Sequence, residues 1–209
     1  MAETKGYFRY LVEQIHTTIV ATVDDDGLPV TAAIDMMDYD ENSLYFLTAK
    51  GKGFYDRLKK RGFLAFTALK GEDTMSSVAL SVRGKVRELG FEKIPELFEK
   101  NPYMHQIYPT KESMQALTVF QICEGTGEWF DLSKKPIERA SFTFGESPVE
   151  NKPEGYFITD VCIGCGSCTA VCPRNCIMTD GIPYVIEQEH CLHCGNCMTA
   201  CPVGAVVRR

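Results

Sequence analysis

The chain has 209 residues, 44% of them hydrophobic and 24% charged, which is enough for a buried core and argues against wholesale disorder. A net charge of −6 argues against nucleic acid or an anionic membrane as partner. No apolar run approaches the roughly 20 residues of a membrane helix, and Met1-Ala2-Glu3-Thr4-Lys5 lacks the layout of a secretory signal.

Period-two alternation dominates the chain up to about Ser141. A helix over Tyr7–Ile15 leads into a β-branched strand, Thr17–Val23, which ends at the hairpin signal Asp24-Asp25-Asp26-Gly27. Leu28–Met37 resumes as strand, Asp38–Asn42 turns, and Ser43–Thr48 is a third strand. A helix over Gly53–Lys60 follows. Phe63–Leu69 and Met75–Glu88 read as strands separated by Lys70-Gly71-Glu72-Asp73, then a helix over Phe91–Glu99, then strands Thr118–Ile122 and Glu128–Leu132. Short strands with turns between them predict an antiparallel β-barrel with peripheral helices. The three-glycine opening of a dinucleotide fold is absent, and Gly51-Lys52-Gly53 is not a phosphate loop.

Three places in this half carry candidate chemistry. In Leu44–Leu58 a strand ends in Thr48, Lys50 and Lys52 lie in a glycine-bearing turn, and a helix begins. A hydroxyl, two ammonium groups and free amides at a helix start suit a phosphate; two lysines in a turn are otherwise simply solvated. Trp129, the only tryptophan, follows Gly125-Thr126-Gly127-Glu128, and packing is its bland reading. Tyr103, His105 and Tyr108 lie between Asn101 and Pro109. His105 is a candidate proton donor, because an imidazole titrates near neutrality; a helix-end aromatic cluster is the competing reading.

Gly145–Gly155 (GESPVENKPEG) offers almost nothing to bury and reads as a linker. The expected division is therefore 1–144, a linker at 145–155, and a module at 156–209 that is too short to fold on apolar burial alone. Of ten cysteines, eight fall in two copies of one pattern: Cys162, Cys165, Cys168 and Cys172-Pro173, then Cys191, Cys194, Cys197 and Cys201-Pro202. This is the C-x2-C-x2-C-x3-C-P spacing of bacterial iron–sulphur ligation. Three thiolates two residues apart wrap three corners of a cubane, and the small residues between them permit the turns. The fourth cysteine lies too far along and ligates the other cluster. One [4Fe–4S] cluster should take Cys162, Cys165, Cys168 and Cys201, and the second Cys191, Cys194, Cys197 and Cys172. Structural zinc has no use for the third cysteine, and a disulfide framework needs an oxidising compartment. Cys176, outside both runs, reads as a small buried side chain. His190 and His193 flank the second run as hydrogen-bonding rather than ligating groups.

On these motifs, Tyr156–Val207 resembles a two-cluster bacterial ferredoxin. The segment from Tyr7 to Leu132, with its Thr48 turn and the later strand Val82-Arg83-Gly84-Lys85-Val86, resembles the split-barrel flavoproteins of the pyridoxamine 5′-phosphate oxidase type. That resemblance implies an α+β chain with an N-terminal antiparallel split barrel and a small C-terminal ferredoxin-type module. It further implies a homodimer with FMN between subunits, the phosphate held by Thr48, Lys50 and Lys52, and Trp129 near the partner's flavin. Many members place an arginine in the second strand where Thr31-Ala32-Ala33 stands here, leaving Thr31 as the candidate contact; vitamin B6 oxidation is not carried over. The expected activity is an FMN- and iron–sulphur-dependent oxidoreductase, with two clusters passing single electrons to or from a flavin that reduces a small acceptor. An external low-potential partner, ferredoxin-like or nicotinamide, completes the circuit. The alternative is a non-catalytic relay to a protein partner, or a flavin-based redox sensor.

Overall fold

The computed structural model describes residues 2–145 and 154–209. Strand β1 (Thr17–Val23) buries every second side chain, as a half-covered strand must, and pairs antiparallel with β2 (Pro29–Asp35). Asp24 sets the turn between them: its carboxylate accepts from the N–H groups of Asp26 and Leu28, and Gly27 takes φ 81°. The chain passes through Met36 and Met37 into the short β3 (Asp38–Tyr39), which hooks onto β4 (Leu44–Ala49). After α2 (Gly53–Arg61) come β5 (Phe63–Lys70) and β6 (Val78–Gly90). Then α3 (Ile94–Lys100), α4 (Met104–Ile107) and α5 (Lys111–Met114) precede β7 (Leu117–Asp131) and β8 (Glu138–Phe144). The sheet runs β2-β1-β5-β6-β7-β4-β3, with β8 also on β7. Because β2 flows directly into β3, continuous chain bridges the two edges and the sheet curls into a split barrel. Register shifts between Lys85 and Val86 and between Glu88 and Gly90 sharpen that curl.

Val20, Phe46, Leu64, Phe66, Leu80, Val82 and Phe120 form the barrel core. Helix α1 (Ala2–Tyr10) closes one end with Phe8, edge-on to Phe142 and Phe144, and α2 covers another part with Phe54 and Leu58. A second core gathers Met37, Tyr45, Leu117 and Val119 under Ile94, Leu97 and Phe98 of α3. There the buried Asn101 amide donates to the carbonyls of Met37 and Leu97.

Several elements differ from the sequence expectation: α4 and α5 were not expected, and β3 lies within the turn expected over Asp38–Asn42. The first helix gives way to a π-turn, Leu11–Ile15, that ends on His16 at φ 68°. The two expected strands around Gly125 are one, β7: its glycines mark close approach rather than a break. A Cβ on Gly125 would lie 2.2 Å from the Arg83 carbonyl oxygen, and one on Gly127 would lie 2.3 Å from the Phe142 ring. Strand β8 begins Glu138-Arg139, which hid its alternation.

The C-terminal module is a near repeat. Its first strand, β9 (Tyr156–Ile158), pairs with its last, β12 (Val206–Arg208), and β10 (Ile177–Met178) pairs with β11 (Val185–Ile186). Helical turns α6 (Ser167–Ala170) and α7 (Asn196–Ala200) both start from a left-handed glycine, Gly166 at φ 78° and Gly195 at φ 80°. Most of the expected linker, 146–153, lies outside the described residues. The modules touch where Gln188–His190 packs on β8, with the His190 ring Nδ1 2.8 Å from the Ile137 carbonyl oxygen. Among the described residues no helix is long and apolar enough to cross a membrane.

Candidate functional site

The glycine-started turns swing each cysteine run around a cavity, and the fourth cysteine of each run crosses to the other. Cys162, Cys165, Cys168 and Cys201 line one cavity with Ile158, Ile163, Tyr184 and Val203. Cys172, Cys191, Cys194 and Cys197 line the second with Tyr156, Ile177, Ile186 and Leu192. The second run follows the segment docked on β8, so its cavity is called inner and the other outer. All ten cysteines are unbridged. Among the described residues no three metal-binding side chains converge as a single ion requires; the thiols ring a cavity instead, as a cluster needs. Backbone amides already point at sulphur: Gly164 N–H to Cys162, His193 N–H to Cys191 and Ala205 N–H to Cys201, at 3.5, 3.4 and 3.2 Å. Burial pushes the Cys201 thiol up, but the amides of Val203, Ala205, Val206 and Gly204 outweigh it and hold the group below its ordinary value. Cys172 behaves alike, through the amides of Cys176 and Arg174. The donor set therefore fits thiolate ligation of iron.

On the barrel, the outward face of β1, β5, β6, β7 and β8 forms an open depression of about 600 Å³. Its side chains lie in two cross-strand rows: Ala21, Ala65, Arg83 and Thr126, and then Ile19, Thr67, Ser81, Glu128 and Ser141. Arg83 Nε donates to Thr126 Oγ1 at 3.2 Å, and Glu128 pairs with Arg139 at 3.1 Å. Glu154, just before the C-terminal module, closes one side. Thr31 sits opposite Ala21 at the end of the Arg83 row, exposed on the edge strand. Arg83 is the cation among the residues that line this depression. Its signal was an arginine in mid-strand, outward by alternation. Ile19, Val23, Phe63 and Leu69 alternate along the same face of β1 and β5 and are all exposed.

Thr48, Lys50 and Lys52 are brought together at the start of α2. Thr48 Oγ1 is buried without a hydrogen-bond partner among the described residues. Lys52 caps α2 without a side-chain bond, which leaves first-turn amides open. Lys50 Nζ reaches the Gln115 carbonyl at 3.3 Å. An orphan hydroxyl, open amides and two ammonium groups fit a phosphate ester. From Thr118, the cross-strand partner of Thr48, to Thr126 is on the order of 25 Å along β7, so this turn and the depression are separate places within one chain.

The model of the pyridoxamine 5′-phosphate oxidase family matches residues 5–128, more than half of the chain. The chain belongs to that family. A 4Fe-4S dicluster domain matches 161–205, so this family member is a split barrel fused to an iron–sulphur module, a combination suited to redox electron transfer. No curated protein matches the chain. Among solved structures, a NimC/NimA family protein from Clostridium acetobutylicum is 13% identical, at a TM-score of 0.55 over 69% of this chain and 92% of that one. A protein from the same organism related to general stress protein 26 of B. subtilis is 18% identical, at 0.51 over 68% and 92%. A heme binding protein from Mycobacterium smegmatis is 10% identical, at 0.52 over 65% and 56%. These likenesses establish the fold.

In this family member Trp129 turns to the barrel side opposite the depression, stacking on Tyr7 at 5.1 Å and meeting Tyr10 edge-on at 5.0 Å. His105 is exposed and edge-on to Phe98 at 5.0 Å, in a helix-end aromatic cluster. Tyr103 has other company. Its hydroxyl donates to Asp35 Oδ2 at 3.0 Å and lies 2.7 Å from His16 Nε2, in a cluster that sequence reading did not assemble. Burial and then Asp35 push the Tyr103 hydroxyl up. At the junction between modules His193, from the second run, has a buried Nε2 without a hydrogen-bond partner among the described residues. Burial and then Arg139 lower its imidazole, and Glu128 and Glu154 are also within electrostatic reach. The inner run and the depression therefore share a boundary.

Proposed function

We propose that the chain is an FMN- and iron–sulphur-dependent oxidoreductase. Electrons pass singly through two [4Fe–4S] clusters to or from FMN, and a small acceptor is reduced there. One observation carries this reading: two cavities, each lined by three cysteines of one run and the last of the other, with the inner run lying against the barrel. Cys162, Cys165, Cys168 and Cys201 would hold the outer cluster, and Cys172, Cys191, Cys194 and Cys197 the inner one. FMN, when bound, supplies a ring that takes electrons one at a time and passes on a pair, which a cubane alone does not do.

Thr48, Lys50, Lys52 and the first amides of α2 would seat the phosphate, with the orphan hydroxyl of Thr48 gaining the acceptor it lacks. Arg83, Thr126, Thr67, Ser81 and Thr31 would orient the ring and the acceptor by hydrogen bonds, and the apolar side chains beside them would exclude water. The separation between turn and depression supports a homodimer in which one protomer's turn meets the other's depression, and exposed Ile19, Val23, Phe63 and Leu69 supply the apolar surface such a contact buries. His105 stands edge-on to Phe98 and is not among the residues that line the depression. The working division is 1–144, 145–155 and 156–209. An external low-potential donor, ferredoxin-like or nicotinamide, and an oxygen-poor cytoplasm suit the clusters.

Anaerobic purification tests the reading. About eight iron atoms per chain, a yellow chromophore released on denaturation, a dimer by sedimentation and multiple turnover with a small acceptor are expected. Far less iron or no released flavin refutes it, and stoichiometric reoxidation without turnover favours a relay to a protein partner.

A further inference from the structure

The two runs share length and spacing, so any difference between their clusters must come from the residues beside the cysteines. After the fourth cysteine, Cys172-Pro173-Arg174-Asn175-Cys176 in the first run stands against Cys201-Pro202-Val203-Gly204-Ala205 in the second. In the outer cavity the last of these is a methyl group, Ala205, whose N–H donates to Cys201 Sγ at 3.2 Å. In the inner cavity it is Cys176, which is 3% exposed, with its Sγ 3.6 Å from that of Cys172. Cys191 is its second sulphur neighbour. Four cysteines already surround each cavity, so Cys176 is surplus to ligation. A cysteine that ligates no metal is an ordinary thiol, protonated at neutral pH. A protonated thiol has one hydrogen to donate, and the acceptors next to this one are ligand sulphurs.

We propose that Cys176 sets the reduction potential of the inner cluster by donating its S–H to a ligand sulphur, a contact that the outer cluster lacks. A reduced cluster carries more negative charge on its sulphurs than an oxidised one, so the donor stabilises the reduced form more and the potential rises. Arg174 lines the inner cavity where Val203 lines the outer, and its positive charge acts in the same direction. The inner cluster adjoins the barrel, so this bias holds the electron at the end nearest the depression. The inference rests on the iron–sulphur half of the proposed function and is independent of FMN.

The test is a redox titration of anaerobically purified full-length holoprotein, followed by electron paramagnetic resonance. Cys176→Ala inserts the residue that the second run itself uses. It is expected to move one cluster's midpoint to a more negative potential and to leave the other in place. Cys176→Ser keeps a donor and should move it less. Ala205→Cys should move the other cluster's midpoint to a more positive potential. Unmoved midpoints in Cys176→Ala overturn the proposal, as does a loss of half the iron, which would make Cys176 a ligand. If Cys176→Ala does not fold, Ala205→Cys decides: no positive shift overturns the proposal. Wild-type protein without iron refutes the cluster reading itself, and an iron assay shows this before any variant is made.

Discussion

Gly125 faces the backbone of β6 at the centre of the sheet that carries the depression. Replacing it with alanine would put a Cβ 2.2 Å from the Arg83 carbonyl oxygen, 2.8 Å from the Gly84 Cα and 2.9 Å from the Phe144 ring. Ordinary contact begins near 3.4 Å, so β6 and β7 must part by about 1 Å, against a paired ladder on both sides. Two of the three obstructing atoms are backbone and cannot rotate away. Overpacking costs roughly 1–3 kcal/mol, and an immovable neighbour places Gly125→Ala at the upper end. About 3 kcal/mol corresponds to a fall of about 6–12 °C in melting temperature for a chain of this size. Gly6→Ala is the matched control. Gly6 lies within α1 with nothing near its Cβ, and alanine there should stabilise by about 0.5–1 kcal/mol through helix propensity. Circular dichroism melts of the two variants beside wild type provide the assay. A Gly125→Ala protein that melts within a degree of wild type would refute the claim that this glycine is required by strand contact.

Thr48→Val should leave the melting temperature of FMN-free protein unchanged or slightly higher, because the lost hydroxyl has no partner there. The same change should weaken FMN about 10-fold, roughly 1.4 kcal/mol, in fluorescence titrations; equal affinity would remove Thr48 from the phosphate seat. Cys201→Ala should disturb the cluster whose other ligands are Cys162, Cys165 and Cys168, and Cys172→Ala the cluster of the second run, each seen as loss of one paramagnetic signal. A signal lost from the mutated run's own cluster would refute the crossing. Lys93 and Lys100 hold the Glu96 carboxyl down to about 2. The folded value lies below the unfolded one, so its stabilisation is present above about pH 4.5 and lost as pH falls towards 2. Because Glu96 is half exposed, Glu96→Gln should cost on the order of 0.5 kcal/mol at neutral pH and flatten the acid limb of a stability–pH curve; an unchanged limb would show that the pair contributes nothing.

The cysteine runs were legible because covalent chemistry demands a fixed spacing, and spacing survives in sequence whatever the tertiary fold. The barrel strands were legible wherever one face is buried: Thr17–Val23 alternates as plainly in the structure as on paper. Legibility failed where a residue's meaning depends on a distant neighbour. Gly125 and Gly127 read as a break because the carbonyl and the ring that require them belong to β6 and β8. Arg83 became a candidate only once four other strands had placed Ala21, Ala65, Thr126 and Thr31 in its row. Tyr103 was noticed with the wrong companions. His16 and Asp35 lie 87 and 68 residues away, and no local pattern encodes a meeting at that range.

The two halves of the C-terminal module begin as equals, yet the docking of Gln188–His190 on β8 involves the second half alone. A substitution near Leu192 or His193 must satisfy both a cluster and a neighbouring barrel, whereas one near Ile163 or Val203 answers to a cluster and to whatever approaches from solvent. One-sided anchoring therefore gives a near-symmetric module a front and a back, and leaves the unanchored half free to change without disturbing the join.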